Sequence, residues 1–179
     1  MWAAQFYKFK FPRQLITSGG LGSMGYGLGA AIGVAMGRHD RKIINIAGDG
    51  CFRMNCNELA TVRGYDLPII EIIVNNRVLG MVRQWQTLFY GERYSNTNLS
   101  DTIDYMKLAD AFGIKGMEIT EKSQVDDVLK MCIRDRQRRA SAIRKRQGGS
   151  RKMVKMSCGR GRRAVSGRCY GISYRMSWY

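Results

Sequence analysis

Asp49 and Asn76 are the two side chains whose type and spacing could do chemistry together. Asp49 closes an apolar run over 42–47 and sits inside Gly48-Asp49-Gly50; Asn76 closes a second run, 68–74, within Asn75-Asn76. Both runs have the length and near-continuous hydrophobicity of buried parallel strands. In open parallel sheets ligands bind beyond the carboxyl ends of the strands, where both residues fall. A crossover helix between the runs makes them plausible neighbours, so that the two side chains can converge. A carboxylate and an amide oxygen make a poor acid–base pair but good hard ligands. Mg2+ takes one or two such protein groups and completes its octahedron with phosphate oxygens and water. Glycines flanking Asp49 let backbone amides approach a phosphate, and the helix opening after Cys51-Phe52 offers its positive end. The implied site holds a Mg2+-bridged diphosphate. Gly-Asp-Gly alone is a common turn, and Asn-Asn alone an ordinary strand end. The signal lies in the pair, 27 residues apart, at the ends of two apolar runs.

A competing pattern overlaps this one. Gly20-Leu21-Gly22-Ser23-Met24-Gly25 fits the dinucleotide fingerprint G-x-G-x-x-G, with Asp49 where a ribose-binding acid would end the next strand. That reading makes the chain a dinucleotide-binding oxidoreductase. Its spacing is 29 residues from Gly20 to Asp49, against the usual ~20, and it leaves Asn75-Asn76 without a role.

The elements that must position these residues alternate. The small residues Ala30, Ala31, Gly33 and Ala35 predict a close-packing helix over 26–36, followed by the strand over 42–47. A helix over 55–63 carries Leu59 and Val62 on one face, and the strand over 68–74 comes next. Tyr105, Leu108, Ala109 and Phe112 mark an amphipathic helix over 104–112, stopped by Gly113. A short strand over 115–119 follows, then a helix toward Lys130 capped by Ser123 with Asp126 three residues on. The fold class is α/β, a largely parallel sheet flanked by helices.

Composition divides the chain. Residues 1–130 hold 15 Lys+Arg against 13 Asp+Glu, whereas residues 131–179 hold 15 against 1, so +14 of the overall +16 belongs to the tail. The tail has no sustained period and too little apolar surface to offset its ordering entropy. The strand expected after the helix ending near Lys130 is not evident there. Met131-Cys132-Ile133-Arg134-Asp135-Arg136 resembles one reading frame of a sequencing-library adapter. Residues 131–179 therefore read as a basic, non-homologous, artefactual and disordered tail; the functional alternative is a nucleic-acid-binding extension. The five cysteines, scattered and without a C-x-x-C pair, fit reduced thiols in a cytoplasmic protein. No secretory signal and no membrane-spanning run is present. His39, between Arg38 and Asp40, reads as a solvated loop residue.

Gly48-Asp49-Gly50 through Asn75-Asn76 resembles the signature of thiamine-diphosphate enzymes. Within them, Met1-Trp2-Ala3-Ala4-Gln5, Thr17-Ser18-Gly19-Gly20-Leu21-Gly22, Asn57-Glu58-Leu59-Ala60-Thr61 and Gly80-Met81-Val82-Arg83-Gln84-Trp85-Gln86 resemble the acetohydroxyacid (acetolactate) synthase large subunits. The likeness covers 1–130, as part of that family's C-terminal cofactor domain. It implies that Asp49 and Asn76 ligate Mg2+ through side-chain oxygens and Val78 through its backbone carbonyl. Gly48, Gly50 and Cys51 would lie along the diphosphate, and Gly22 and Met24 against the cofactor's rings. Met81, Val82 and Trp85 would line the substrate channel; by spacing alone, Met81 and Trp85 read as core residues on a helix. Cys51 stands where serine is frequent, a weaker hydrogen-bond donor, and Gly29 where proline is usual.

The activity implied is decarboxylation of pyruvate and ligation of its two-carbon remainder to a second 2-ketoacid. Pyruvate as acceptor gives 2-acetolactate, and 2-ketobutyrate gives 2-aceto-2-hydroxybutyrate, on the route to branched-chain amino acids. The alternative within the fold is another thiamine-diphosphate-dependent decarboxylase or oxidase. The resemblance also implies a homo-oligomer, a regulatory small subunit, a bacterial cytoplasmic setting, and no membrane or nucleic-acid partner. The family's catalytic glutamate and its FAD site belong to N-terminal and middle domains, so no catalytic acid or base is nominated in 1–130.

Overall fold

The computed structural model describes residues 1–38, 40–99, 103–133 and, for the backbone, 169–175. Residue His39 lies outside them. The chain forms two compact units, Met1–Thr120 with Arg168–Tyr179, and Glu121–Gly167.

The first unit is built on four parallel strands in the order β1-β2-β4-β3. They are β1 (Ile43–Gly48), β2 (Ile69–Asn75), β3 (Ile114–Ile119) and β4 (Cys169–Arg175). Isoleucine dominates β1 and β2, a β-branched side chain that suits a pleated, packed surface. β1 and β2 pair from Ile43↔Ile69 to Gly48↔Val74. The next residues along, Asp49 and Asn75-Asn76, therefore leave adjacent strands at the same carboxyl edge, as the two apolar runs predict.

Helices cover the face carrying Ile43, Ile69 and Ile73. Helix α1 (Trp2–Phe6) buries no residue. Helix α2 (Tyr26–Gly37) brings Leu28, Ala31 and Ala35 into the core, with Leu59, Val62 and Ala109 from later helices. α3 (Asp49–Met54), a 3-10 turn at Cys56–Glu58 and α4 (Leu59–Gly64) connect β1 to β2. α5 (Gly80–Phe89) follows β2, and α6 (Tyr105–Ala111) precedes β3. Asp104 caps α6 by accepting from the Met106 and Lys107 N–H groups, and Gly113 leaves it at φ +65°.

A polar pair lies beneath α2. The Asn45 amide donates to both Glu71 carboxyl oxygens, at 2.9 and 2.8 Å, with both residues buried. Burial pushes the Glu71 carboxyl up to about 8. A Cβ on Gly27 would stand 2.4 Å from Asn45 Oδ1, so the helix backbone rests on this pair.

Four expectations need correction. The helix foreseen over 55–63 starts at Asp49 and breaks at Asn55, because Gly48 already has the extended backbone of an N-cap and Asp49 opens the helix. β1 is an edge strand, not buried on both faces: Ile44 and Ile46 are about half exposed. In the second unit Glu121, not Ser123, caps the chain, in a reciprocal capping box with Gln124 across a 3-10 turn at Lys122–Gln124. Residues 125–133 are helical beyond it. The strand missing after Lys130 is supplied by β4, hydrogen-bonded between β2 and β3. The remaining tail residues, 134–168 and 176–179, and with them the expectation of disorder there, lie outside the described residues. Among the described residues no helix is long and apolar enough to cross a membrane.

Candidate functional site

Asp49 opens α3 where β1 ends, and it is buried. Its Oδ1 accepts the Gly50 N–H at 3.0 Å, and its Oδ2 accepts the Arg77 N–H at 2.8 Å. The second bond ties the end of β1 to the loop leaving β2. Burial raises the Asp49 carboxyl above its usual range, against the Gly50 and Arg77 N–H groups that favour its charged form. Its own backbone N–H and the Arg53 charge favour the charged form as well, and the two oxygens retain further acceptor capacity. A buried carboxylate whose desolvation outweighs its hydrogen bonds is stabilised by a cation.

Three segments meet at Gly50. A Cβ there would lie 2.8 Å from Leu79 Cδ2, 3.2 Å from Leu99 Cδ1 and 3.3 Å from Met24 Cε. No side chain fits without displacing one of them. Gly48 is different, since the space around a Cβ there is open for 4 Å.

The loop after β2 carries Asn76, Arg77, Val78 and Leu79. Asn76 is half-buried, and its Oδ1 accepts the Val78 N–H at 3.1 Å. That turn suits Arg77 at φ +60°. The loop is braced on its far side by residues 97–99. Leu79 N–H donates to Thr97 O at 2.8 Å, Leu99 N–H donates to Arg77 O at 2.7 Å, and Val78 and Asn98 form an antiparallel bridge.

On the third side, Gly22 turns at φ +64° and Gly25 at φ +82° before α2 begins. Asn55 donates from its side chain to Gly25 O at 2.9 Å, fixing the start of α2 to the end of α3. A Cβ on Gly25 would stand 2.8 Å from Met54 Cβ. Met24 thus reaches Gly50, whereas the space around Gly22 is open. No strand precedes these glycines: residues 14–18 have no regular structure, so the strand–turn–helix that a dinucleotide fingerprint requires is missing.

The structure thus brings Met24, Asp49, Gly50, Asn76 and Val78 to one strand edge, with Cys51 half-buried on α3 behind them. Met81, Val82 and Trp85 sit apart from the core on α5, 37, 43 and 54% exposed, so core packing does not explain them. Sequence reasoning missed the Arg77 N–H and the 97–99 brace, and read Tyr105 only as part of the apolar face of α6. Tyr105 packs edge-on against Phe52 at 5.8 Å between ring centroids. Burial first, and then the Asp49 carboxylate, push its phenol up to about 12. The polar run Ser95-Asn96-Thr97-Asn98 after a helical stretch marks a loop, but not what that loop braces.

The donor set fits Mg2+ held with a diphosphate. Among the described residues no three His, Cys, Asp or Glu side chains gather as a self-sufficient metal cage. One carboxylate and one amide, with a backbone carbonyl, would leave positions for phosphate oxygens, the usual Mg2+ arrangement. The open space over Gly48 beside Asp49 is where a phosphate can come close.

Comparisons with known proteins point to one family. The family described as "Thiamine pyrophosphate enzyme, C-terminal TPP binding domain" matches residues 1–144. The "Acetolactate synthase isozyme 2 large subunit" of Escherichia coli K12 is 50% identical over 129 residues, 72% of this chain and 24% of that protein. The "Probable acetolactate synthase large subunit" of Methanocaldococcus jannaschii is 46% identical over 133 residues, 74% of this chain and 22% of that protein. Among solved structures, a thiamine diphosphate-dependent 4-hydroxybenzoylformate decarboxylase of Rhodococcus jostii RHA1 superposes with a TM-score of 0.65 at 20% identity. It covers 88% of this chain and 24% of its own, and shares the fold. The chain thus spans about a quarter of the length of these curated relatives.

Proposed function

This chain belongs to the thiamine pyrophosphate enzyme family, in its C-terminal TPP binding domain, and from that premise we propose that it is the cofactor-anchoring part of an acetolactate synthase large subunit. Asp49 and Asn76 hold Mg2+ through side-chain oxygens and Val78 through its carbonyl. Gly48, Gly50 and Cys51 border the diphosphate, and Gly22 and Met24 border the rings. The observation that carries this is the buried Asp49 carboxylate bonded to the Arg77 N–H, which joins the Gly-Asp-Gly turn to the Asn-Asn loop. The acetolactate synthase assignment is supported by the 46–50% identity to those large subunits.

Thiamine diphosphate, when bound, would supply both a carbon nucleophile for the 2-ketoacid's carbonyl and the electron sink that its decarboxylation requires. The chain's own residues do the holding. Asp49 and Asn76 fix the diphosphate end, and Met24, against Gly50, limits where the rings can rest. Met81, Val82 and Trp85 present an apolar surface on α5 that selects the acceptor 2-ketoacid, pyruvate or 2-ketobutyrate, by the fit of its alkyl group. No carboxylate here takes the role of the cofactor's proton donor. The chain alone is accordingly inactive, and turnover needs the N-terminal and FAD-binding middle domains of a full-length, oligomeric, cytoplasmic subunit, with any regulatory subunit.

The test is calorimetric titration of the 179-residue chain with thiamine diphosphate, with and without Mg2+. Heat that requires Mg2+ and is abolished in Asp49→Ala is the expected result. Binding indifferent to both Mg2+ and Asp49, by a chain that circular dichroism shows to be folded, would refute the site.

A further inference from the structure

Gln86 lies two turns along α5 from the loop that carries Asn76 and Val78, and its side-chain amide is committed to one segment. Its Oε1 accepts the Thr97 hydroxyl at 3.1 Å and the Ser95 N–H at 3.4 Å. Its Nε2 donates to Ser95 O at 3.0 Å. Neighbouring groups on α5 hold the same segment. Thr87 Oγ1 is 3.1 Å from the Tyr94 hydroxyl, and the Arg83 guanidinium lies 4.0 Å over the Tyr94 ring. Thr97 is 2% exposed, so its hydroxyl needs the acceptor that Gln86 provides.

The far side of that segment grips the site. Thr97 O takes the Leu79 N–H and Arg77 O takes the Leu99 N–H, on either side of Val78. Arg77 in turn donates its own N–H to Asp49. The 76–79 loop is thus clamped between Asp49 and residues 97–99, and Gln86 holds the outer jaw.

We infer that Gln86 is a positioning residue for the cation site: acting through residues 95–99, it sets where the Asn76 side chain and the Val78 carbonyl stand, without touching cofactor itself. The cation-binding part of this inference rests on the thiamine-diphosphate reading; the clamp does not. A leucine at this position keeps approximate volume and helix propensity but provides neither donor nor acceptor. It leaves the buried Thr97 hydroxyl without its partner and frees the segment. The loss falls on geometry at the loop, so Mg2+ dependence suffers more than α5.

The experiment is residue-resolved hydrogen exchange on the 179-residue chain without ligand, comparing wild type, Gln86→Leu and Gln86→Glu. In Gln86→Leu, exchange at the Leu79 and Leu99 amides is expected to rise about tenfold while the β1 and β2 amides keep their rates. Gln86→Glu, which keeps the acceptor for Thr97 but not the donor to Ser95 O, falls between. Unchanged Leu79 and Leu99 rates, or an equal rise across β1 and β2, would overturn the clamp. Titration of the same proteins with thiamine diphosphate at increasing Mg2+ then reads the link to the cation. A Mg2+ requirement shifted about tenfold upward in Gln86→Leu supports it, and an unshifted one overturns it. If wild type binds no cofactor, the functional reading fails and takes the cation role of Gln86 with it, while the exchange data still decide the clamp.

Discussion

At the scale of single residues, the polar groups of the sheet fall into two kinds. Asp49 stands at the strand end with the open space of Gly48 beside it, whereas Glu71 lies buried beneath α2 with Asn45. Burial raises both carboxyls, but the consequences differ. Glu71 moves from an ordinary 4.5 to about 8, so between those values the folded chain keeps a proton that the unfolded chain has released. Linkage then gives a stability that is fully present below about pH 4.5, declines as pH rises, and is lost above about pH 8. Replacing Glu71 by Gln keeps the acceptor for the Asn45 amide and removes the titration. Urea unfolding of Glu71→Gln should show a gain over wild type on the order of 2–4 kcal/mol at pH 9, vanishing toward pH 4.5. Parallel pH profiles for the two proteins would show that Glu71 does not titrate in this range. This pair was invisible in the sequence because Glu71 interrupts an isoleucine run, and nothing local tells that its partner is Asn45, 26 residues away.

At the scale of elements, α2 shows how a helix can be tuned by two glycines with opposite roles. A Cβ on Gly27 would press to 2.4 Å from Asn45 Oδ1, while the space around Gly29, one half-turn on, is open. Gly29→Ala should raise thermal stability, by about 0.5–1 kcal/mol, since a helix-interior glycine gives up entropy to no steric benefit. Gly27→Ala should lower it by about 1–3 kcal/mol through overpacking, and also weaken cofactor binding, because α2 carries the Gly22–Met24 turn toward Gly50. Equal melting temperatures for the two variants would show that α2 does not rest on the polar pair. The elements legible beforehand were those whose own residues decide them: β1, β2, β3, α2 and α6 lie within a residue or two of their expected ranges. Those missed depend on distant partners. Gly48-Asp49-Gly50 reads as a turn by composition, yet Asp49 bonded to the Arg77 N–H and the close packing around Gly50 go with a helix that begins at Asp49. β4, with Gly171 beside its central Ile172, has no local apolar run to announce it and is defined by strands on both sides. The meeting of Asp49 with the Asn75-Asn76 loop at one strand edge was legible by type and spacing, and the bracing of that loop by 95–99 was not, because it is made of backbone groups and one glutamine amide.

At the scale of the molecule, the sheet is covered unevenly. Parallel strands are ordinarily packed on both faces, and the α2 side of β1 is: Ile43 is buried. Its neighbours on the opposite side, Ile44 and Ile46, are 46 and 52% exposed. Leu88 and Phe89 on α5, and Trp2 and Phe6 on α1, add further uncovered apolar surface. Exposed single apolar residues are unremarkable, but adjacent ones along a strand form a patch that costs free energy in water. The chain spans about a quarter of the length of its curated relatives. By itself it should bind a hydrophobic dye while natively folded. Because Ile44 and Ile46 lie on the face of β1 opposite the buried Ile43, Ile44→Thr with Ile46→Thr keeps the β-branched shape of the strand and changes only that face. The double variant should bind markedly less dye and change stability by no more than about 0.5–1 kcal/mol, with thiamine diphosphate binding unaltered. Dye binding that stays at the wild-type level would place the uncovered surface elsewhere, on α5 and α1. A large loss of stability would mean that the outer face of β1 is packed in solution, and that the edge of this sheet is closed by residues of the chain itself.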